Sequence, residues 1–350
     1  MGVFDVLLNA LDVDAAIVTD PADMTYLSGY DNADCVIVVT RDRAVYFTDA
    51  RYTEEAARTV GEKLEVVDGR LAPDALQAIA VSGAKRVAFD SRLDFASYRL
   101  IAACASENAF ELVPCDGVAA KLRIVKSRAE IDAIERAQEI TDNAFEEILP
   151  LIREGIAEYE LAAKLEYAIL SKGAKLAFDS IVAFGENGSS PHAHRSDRRL
   201  KKGDFVTMDF GAKWQGYCSD MTRTVALGEI TDMQRKAYQS VLAANVEGVA
   251  AVKAGVACKD IDAKIRKLLA KDGLDKFFVH SLGHGVGIDI HELPNLSPRS
   301  EFTLQCGNVV TIEPGVYIEG AFGIRIEDMV VVEEGGCIDL TRSDKNLIIL

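Results

Sequence analysis

Four acidic residues and one histidine carry the strongest chemical signal in this sequence. Asp209 lies in the β-rich run Phe205 to Ala212 and Asp220 in Tyr217 to Ala226, joined by a turn around Trp214-Gln215. A hairpin centred there sets Asp209 opposite Asp220. Opposed residues in an antiparallel ladder hold their Cβ atoms about 5 Å apart, and like charges so placed are destabilising. Such a pair needs a shared proton or a cation. The arrangement recurs in Val309 to Ile318 and Phe322 to Val332, where a hairpin centred on Gly320 sets Glu313 opposite Glu327. An isolated Asp in a strand is most often a turn, edge or ion-pair residue; pairing and repetition lift these four above that background. His284 stands among glycines that permit close backbone approach. All five histidines fall in two clusters, His192 with His194, then His280, His284 and His291.

Were both acidic pairs brought to one locus, their four negative charges would match two divalent cations. Oxygen donors with one imidazole favour Mn, Co, Fe or Zn over Ca, and point away from Cu(I) and iron-sulfur chemistry. Two-metal sites, with ions roughly 3.5 to 4 Å apart, hold a bridging hydroxide and polarise a carbonyl or phosphoryl oxygen. Metal-assisted hydrolysis is the chemistry these residues predict.

The elements that must position them read as a duplication. Gly155-Ile156-Ala157 and the helical run after it return at Gly255-Val256-Ala257, 100 residues on, and Gly173 and Gly273 close both helices. Gly203 to Gly211 matches Gly307 to Gly315 at an offset of 104, with Asp209 and Glu313 at the same place in an apolar strand. Each half is therefore predicted as two helices followed by strands. Ahead of it, short β-rich runs (Ala15 to Thr19, Cys35 to Thr40, Ala44 to Thr48, Arg86 to Asp90, Phe110 to Val113) alternate with helical stretches such as Thr53 to Val60 and Pro73 to Ala80. Ser127 and Glu130 form a capping box that opens a long amphipathic helix. The expectation is an α+β protein with a smaller α/β domain over residues 1–122 and a duplicated domain over 123–350.

Composition narrows the partners. A chain of 350 residues exceeds the usual size of one core. A formal net charge of -16 repels polyphosphate and anionic headgroups, which argues against nucleic acid and membrane surfaces. No apolar run approaches membrane-spanning length, and the N-terminal stretch lacks secretory features, so a cytoplasmic protein is expected. The seven cysteines are scattered and never in a Cys-x-x-Cys pair, which reads as reduced thiols.

Taken together, Asp209-Phe210-Gly211, Ser219-Asp220-Met221-Thr222-Arg223, His280 through Gly287, His291-Glu292-Leu293-Pro294, Ile312-Glu313-Pro314-Gly315 and Gly323 through Asp328 resemble the Xaa-Pro peptidases, prolidase and aminopeptidase P, of the pita-bread metallopeptidase family. The resemblance spans essentially the whole chain. Tyr26 to Tyr30 and Phe47 to Tyr52 resemble the creatinase-like N-terminal domain of those enzymes, which methionine aminopeptidases lack.

The resemblance implies metal ligation by Asp209, Asp220, His284, Glu313 and Glu327, with Asp220 and Glu327 bridging two ions. The ions implied are Mn²⁺ or Co²⁺ first, with Zn²⁺ or Fe²⁺ as alternatives. It implies that His192 and His291 contact the scissile carbonyl or its tetrahedral adduct, that Glu313 also shuttles a proton from the bridging water whose hydroxide is the nucleophile, and that His280 and Arg325 support the ligands from behind. The substrate implied is a peptide with proline at its second position, cut by a homodimer as an Xaa-Pro dipeptidase or aminopeptidase. For a dipeptidase, Arg195 or Arg299 could hold the product-side carboxylate, and His194 is expected at the surface. One departure is Pro191-His192-Ala193, where the family often reads Pro-His-Gly. The competing readings are a non-proline aminopeptidase, a metal-free creatinase-like hydrolase, and a non-catalytic binding protein on the same scaffold.

Overall fold

The structure is a computed structural model and describes residues 2–350; Met1, part of the N-terminal stretch read above, lies outside them. Contacts divide the chain into Met1–Arg123 and Ile124–Leu350. No described helix is long and apolar enough to cross a membrane.

The first unit is built on a six-stranded sheet ordered Glu65–Asp68, Ala44–Thr48, Val36–Thr40, Ala15–Val18, Arg86–Asp90, Glu111–Cys115. Its inner strands are buried along nearly their whole length, so both faces are covered. Leu7, Leu8, Met24 and Tyr46 pack with Val18 and Val39 on one side, and Ile79, Ile101 and Phe110 with Ile17 and Val87 on the other. Asp20 and Asp94 start the helices Pro21–Ser28 and Phe95–Asn108 by accepting two backbone N–H bonds each.

In the second unit each half opens with a long helix, Arg128–Ile148 or Asp232–Ala251. Both carry a capping box, Ser127 with Glu130 and Thr231 with Gln234. Each is followed by a 13-residue helix, Glu158–Leu170 or Cys258–Ala270. The segment before that second helix is tied to a later one in the same way in both halves: Gly155 and Gly255 donate to the carbonyls of Leu200 and Leu304, and Leu200 and Leu304 donate back to Ile156 and Val256. Each helix pair covers its own core, one around Phe145, Leu161, Phe184 and Met208, the other around Tyr238, Ile261, Ile312 and Ile324. A fully buried side chain of this size contributes about 1.5–3 kcal/mol, and the apolar spacing of the helices supplies many.

The α+β organisation expected from the sequence is observed, but the first hairpin has a different register. Phe205–Phe210 pairs with Met221–Ala226 so that Asp209 lies opposite Thr222, not Asp220. The turn is the cause: Gln215 and Gly216 are its two central residues, with φ of 50° and 86°, the mirror-image turn whose twist suits a two-residue hairpin. The turn centre therefore lies one residue beyond Trp214-Gln215, and partners move by two. Because a shift of two preserves the face, Asp209 and Asp220 become diagonal neighbours on one side of the ladder. In the second hairpin Ile312 faces Asp328 and Gly315 faces Arg325, the expected register.

Candidate active site

The second hairpin is broken twice, at Glu313-Pro314 and at Ile326-Glu327. At each break the backbone leaves its own ladder: Glu313 donates its N–H to Leu282 O at 2.8 Å, and Glu327 donates to Thr222 O at 3.1 Å. The first departure ties Glu313 to the segment that leads into His284, and the second ties Glu327 to the first hairpin. Further bonds join the two hairpins, with Thr207 Oγ1 donating to Gly323 O at 3.1 Å and Thr224 Oγ1 to Arg325 O at 3.0 Å.

One charged cluster results. Ligand-type atoms of Asp220, His284 and Glu327 lie within 4.8 Å of one another. His284 Nε2 is 3.6 Å from Asp220 Oδ2 and 3.3 Å from Glu313 Oε1. Arg325 reaches in from the same hairpin, donating from Nη2 to Asp209 Oδ2 at 2.5 Å and from Nε to Thr222 Oγ1 at 2.9 Å. Thr222 in turn donates to Glu327 Oε2 at 2.7 Å.

The electrostatics of this cluster call for added positive charge. Burial, then the charges of Glu327, Asp209 and Glu313, pushes the Asp220 carboxyl well above the ordinary range. Burial and then Glu327 do the same to Glu313, while burial and then Asp209 raise Glu327 to about 8. Burial lowers His284 to about 3 and His280 to about 4, so both imidazoles are neutral near pH 7. For Arg325 burial acts to weaken the cation, but Tyr317, Asp209, Glu313 and Glu327 outweigh it and hold the guanidinium charged.

The donor set fits a divalent metal. Asp209 Oδ1 and Asp220 Oδ1 are buried without a hydrogen-bond partner, a costly condition unless something positive meets them. His284 Nδ1 lies 3.1 Å from Gly285 O, a contact that places the ring proton there and leaves the Nε2 lone pair facing two carboxylates. An acceptor surrounded by acceptors needs a shared proton or a cation among them, and the two unpartnered aspartate oxygens beside it fit a cation.

Of the remaining residues singled out from sequence, His280 and His291 border this cluster. The His291 ring is edge-on to His284, 4.3 Å between centroids. His291 is solvent-exposed on one side, yet the protein packed against its other side lowers its pKa. His192 is exposed, on the loop after the strand Ile181–Phe184. His280 Nδ1 is 3.9 Å from Glu313 Oε2, and its Nε2 is hydrogen-bonded to Tyr317 Oη at 2.9 Å. His194 is exposed. Arg195 is exposed and paired with Glu166, and Arg299 is exposed with no ion pair among the described residues.

Three residues in the cluster were not legible as site residues. Thr222 links Arg325 to Glu327. Tyr317 joins His280 to Arg325 Nη1, the latter bond being 2.5 Å. Thr311 accepts the His284 N–H at 3.1 Å and donates to Glu313 Oε1 at 3.3 Å. Thr222 could have been found from its place two residues after Asp220, on the same face of the strand; a lone tyrosine or threonine gives no comparable signal.

Known proteins share this sequence pattern and fold. Residues 132–334 match the profile of metallopeptidase family M24, and residues 4–125 that of the creatinase/prolidase N-terminal domain. The chain belongs to metallopeptidase family M24. An Xaa-Pro dipeptidase of Pyrococcus horikoshii is 36% identical over 96% of this chain and 95% of its own. Among solved structures, an Xaa-Pro dipeptidase from Bacillus anthracis superposes with a TM-score of 0.94 at 37% identity over 99% of both chains. An X-Pro aminopeptidase from Thermotoga maritima gives 0.90 at 34% identity, covering 99% of this chain and 100% of its own. The duplicated second unit is thus the M24 pita-bread domain, and the first is the creatinase-like domain that accompanies it. As an M24 member the protein is a peptidase, and its cofactor is divalent metal.

Proposed function

We propose that this peptidase hydrolyses the bond before a proline in the second position of its substrate, as an Xaa-Pro dipeptidase or aminopeptidase, with two divalent ions, Mn²⁺ or Co²⁺ first and Zn²⁺ or Fe²⁺ after, held by Asp209, Asp220, His284, Glu313 and Glu327. The observation that carries the reading is the His284 Nε2 lone pair set among carboxylate oxygens at 3.3 and 3.6 Å beside two unpartnered aspartate oxygens. Proline specificity is supported by relatives and structural neighbours named for it.

Ions held by these residues would supply Lewis acidity to the attacking water and to the substrate carbonyl. The protein's own groups divide the remaining work. Glu313, whose Oε1 accepts a bond from Thr311, takes the proton released by the water and delivers it to the leaving proline nitrogen. His291, edge-on to His284, and His192, on its exposed loop, donate hydrogen bonds to the carbonyl oxygen as its negative charge grows. Arg325 occupies one oxygen of Asp209 and leaves the other free to ligate. His280 is held by Tyr317 and the Ser281 carbonyl beside Glu313.

The test is chelator-stripped protein resupplied with single metals and assayed on Ala-Pro, Ala-Ala and Ala-Pro-Xaa. Mn²⁺ or Co²⁺ should restore cleavage of the proline substrates only, and the third peptide separates dipeptidase from aminopeptidase. Inactivity with every metal, or equal rates on Ala-Ala, would overturn the proposal. The same reading has the enzyme act as a cytoplasmic homodimer; a monomer in sedimentation equilibrium, or activity found outside the cytoplasmic fraction, would remove that part.

A further inference from the structure

The loop that carries His192 is gathered at its base by a buried carboxylate outside the metal cluster. Glu158 is the first residue of the helix Glu158–Leu170 and is 0% exposed. Its Oε1 accepts from the Phe184 N–H at 2.8 Å and from Asn187 Nδ2 at 3.0 Å. Its Oε2 accepts from Asn187 Nδ2 at 3.2 Å, from the Ser196 N–H at 2.9 Å and from Ser196 Oγ at 2.6 Å. Phe184 ends the incoming strand, Asn187 lies in the turn that follows, and Ser196 begins the return. One side chain therefore holds both ends of the segment between Asn187 and Ser196, with His192 near its middle.

The middle of the loop rests on the strand that carries Arg325. A Cβ on Gly323 would lie 1.7 Å from Gly188 O, so the two backbones touch, and Arg325 Nη1 donates to Pro191 O at 3.4 Å. His192 itself is exposed, and its aim is set by its loop. A buried carboxylate fed only by neutral donors is a poor way to gain stability, since apolar residues of similar volume often serve as well. What it supplies is geometry: two acceptor oxygens fix three points of a loop relative to a helix.

We propose that Glu158 is a positioning residue for catalysis, clamping the base of the 187–196 loop so that His192 meets the substrate's carbonyl oxygen. This rests on the role given to His192 above. Misplacing such a group by about 1 Å costs on the order of a hundredfold in rate. Because the contact strengthens as negative charge develops, the loss falls on kcat more than on KM.

The experiment compares Glu158→Gln, Asn187→Ala, His192→Ala and the Glu158→Gln/His192→Ala double variant, each in its metal-loaded form, with kcat expressed per folded site. Glu158→Gln is expected to lower kcat roughly 10–100-fold with KM within about twofold, and Asn187→Ala to act in the same direction but less. In the His192→Ala background, Glu158→Gln should change kcat less than about twofold, because the two residues act as one unit. Amide exchange on the metal-free chain gives a second readout: Phe184 and Ser196 should exchange faster in Glu158→Gln. A slow His192→Ala with normal kcat in the other single variants, or a double variant showing the full product of both losses, would overturn the clamp alone. Normal kcat in His192→Ala would overturn the role of His192 and the clamp with it. Should Glu158→Gln fail to fold, Asn187→Ala and its double with His192→Ala decide between the same outcomes.

Discussion

The two halves of the pita-bread domain share a backbone plan and differ at the rungs where chemistry happens. By hairpin register, Asp209 corresponds to Glu313, Gly211 to Gly315, Asp220 to Arg325 and Thr222 to Glu327. One position keeps an acid in both halves; two do not. Where the first half offers a carboxylate at Asp220, the second offers a guanidinium, and where the first has a hydroxyl, the second has Glu327. The asymmetric pair Arg325 and Thr222 are bonded to each other, and they also bond Asp209 and Glu327, one acid from each half. Duplication supplies a place where acids can converge. Its decay supplies the cation and hydroxyl that decide which carboxylate oxygens stay free.

The sharpest way to break that comparison is to neutralise the rung where the first half alone is acidic. Asp220→Asn keeps the shape and removes one of the two carboxylate groups that face His284 Nε2. Loss of several kcal/mol of transition-state stabilisation corresponds to a rate lower by about a thousandfold or more. Elemental analysis should show metal per chain falling in parallel. Wild-type turnover and metal content would mean that the rung's acidity is incidental.

Next comes the same rung in the other half. Arg325→Gln leaves Asp209 Oδ2 and Tyr317 Oη without their cationic partner in a site where Arg325 itself is only 4% exposed. Losses at residues that orient metal ligands run to roughly 10–100-fold in metal affinity or activity. Titration of the stripped protein with Mn²⁺ measures the former directly. An unchanged affinity would show that Asp209 needs no help to present Oδ1.

Why some of this was legible and some was not follows from the same rungs. Gly320 marks the second turn by its chemistry, so the register there follows from counting. In the first turn a glutamine takes φ of 50°, a conformation that side chains other than Asn and Asp rarely adopt, and the centre reads one residue early. The acids still fall on one face because partners moved by an even number. The breaks at Glu313 and Glu327 depend on backbone bonds to Leu282 and Thr222, distant partners that no local pattern encodes. Thr311 and Tyr317 act through hydroxyls and look like ordinary strand residues. In the first unit, the strand Glu65–Asp68 went unread because it is a partly exposed edge bounded by acids, a composition that favours turns.

A smaller effect tests how closely the halves touch. Gly188 and Gly323 come from opposite halves, and Gly323→Ala would put a Cβ 1.7 Å from Gly188 O. Overpacking of this kind costs about 1–3 kcal/mol, and the relief open to it is displacement of the His192 loop. Denaturant unfolding should show the lost stability and steady-state kinetics a lower kcat. A variant as stable and as fast as the parent would mean the contact yields freely.

The smallest expected effect concerns the helix starts, where the halves are most alike. Ser127 Oγ accepts the Glu130 N–H at 3.4 Å, and Thr231 Oγ1 accepts the Gln234 N–H at 3.2 Å, and each cap residue's own N–H donates in return to the side-chain oxygen of the acid or amide three residues on. Removing either hydroxyl leaves one helix-end donor unmet, so Ser127→Ala and Thr231→Ala should each cost about 1 kcal/mol. The two caps share no hydrogen-bond partner. Their costs should therefore add in the double variant, about 2 kcal/mol in all, read from the shift in urea midpoint at constant slope. If instead one substitution lowers the midpoint and the second does nothing further, the halves unfold one before the other. The bonds joining the two hairpins would then be too weak to make the domain a single cooperative unit, even though the metal site is built from both.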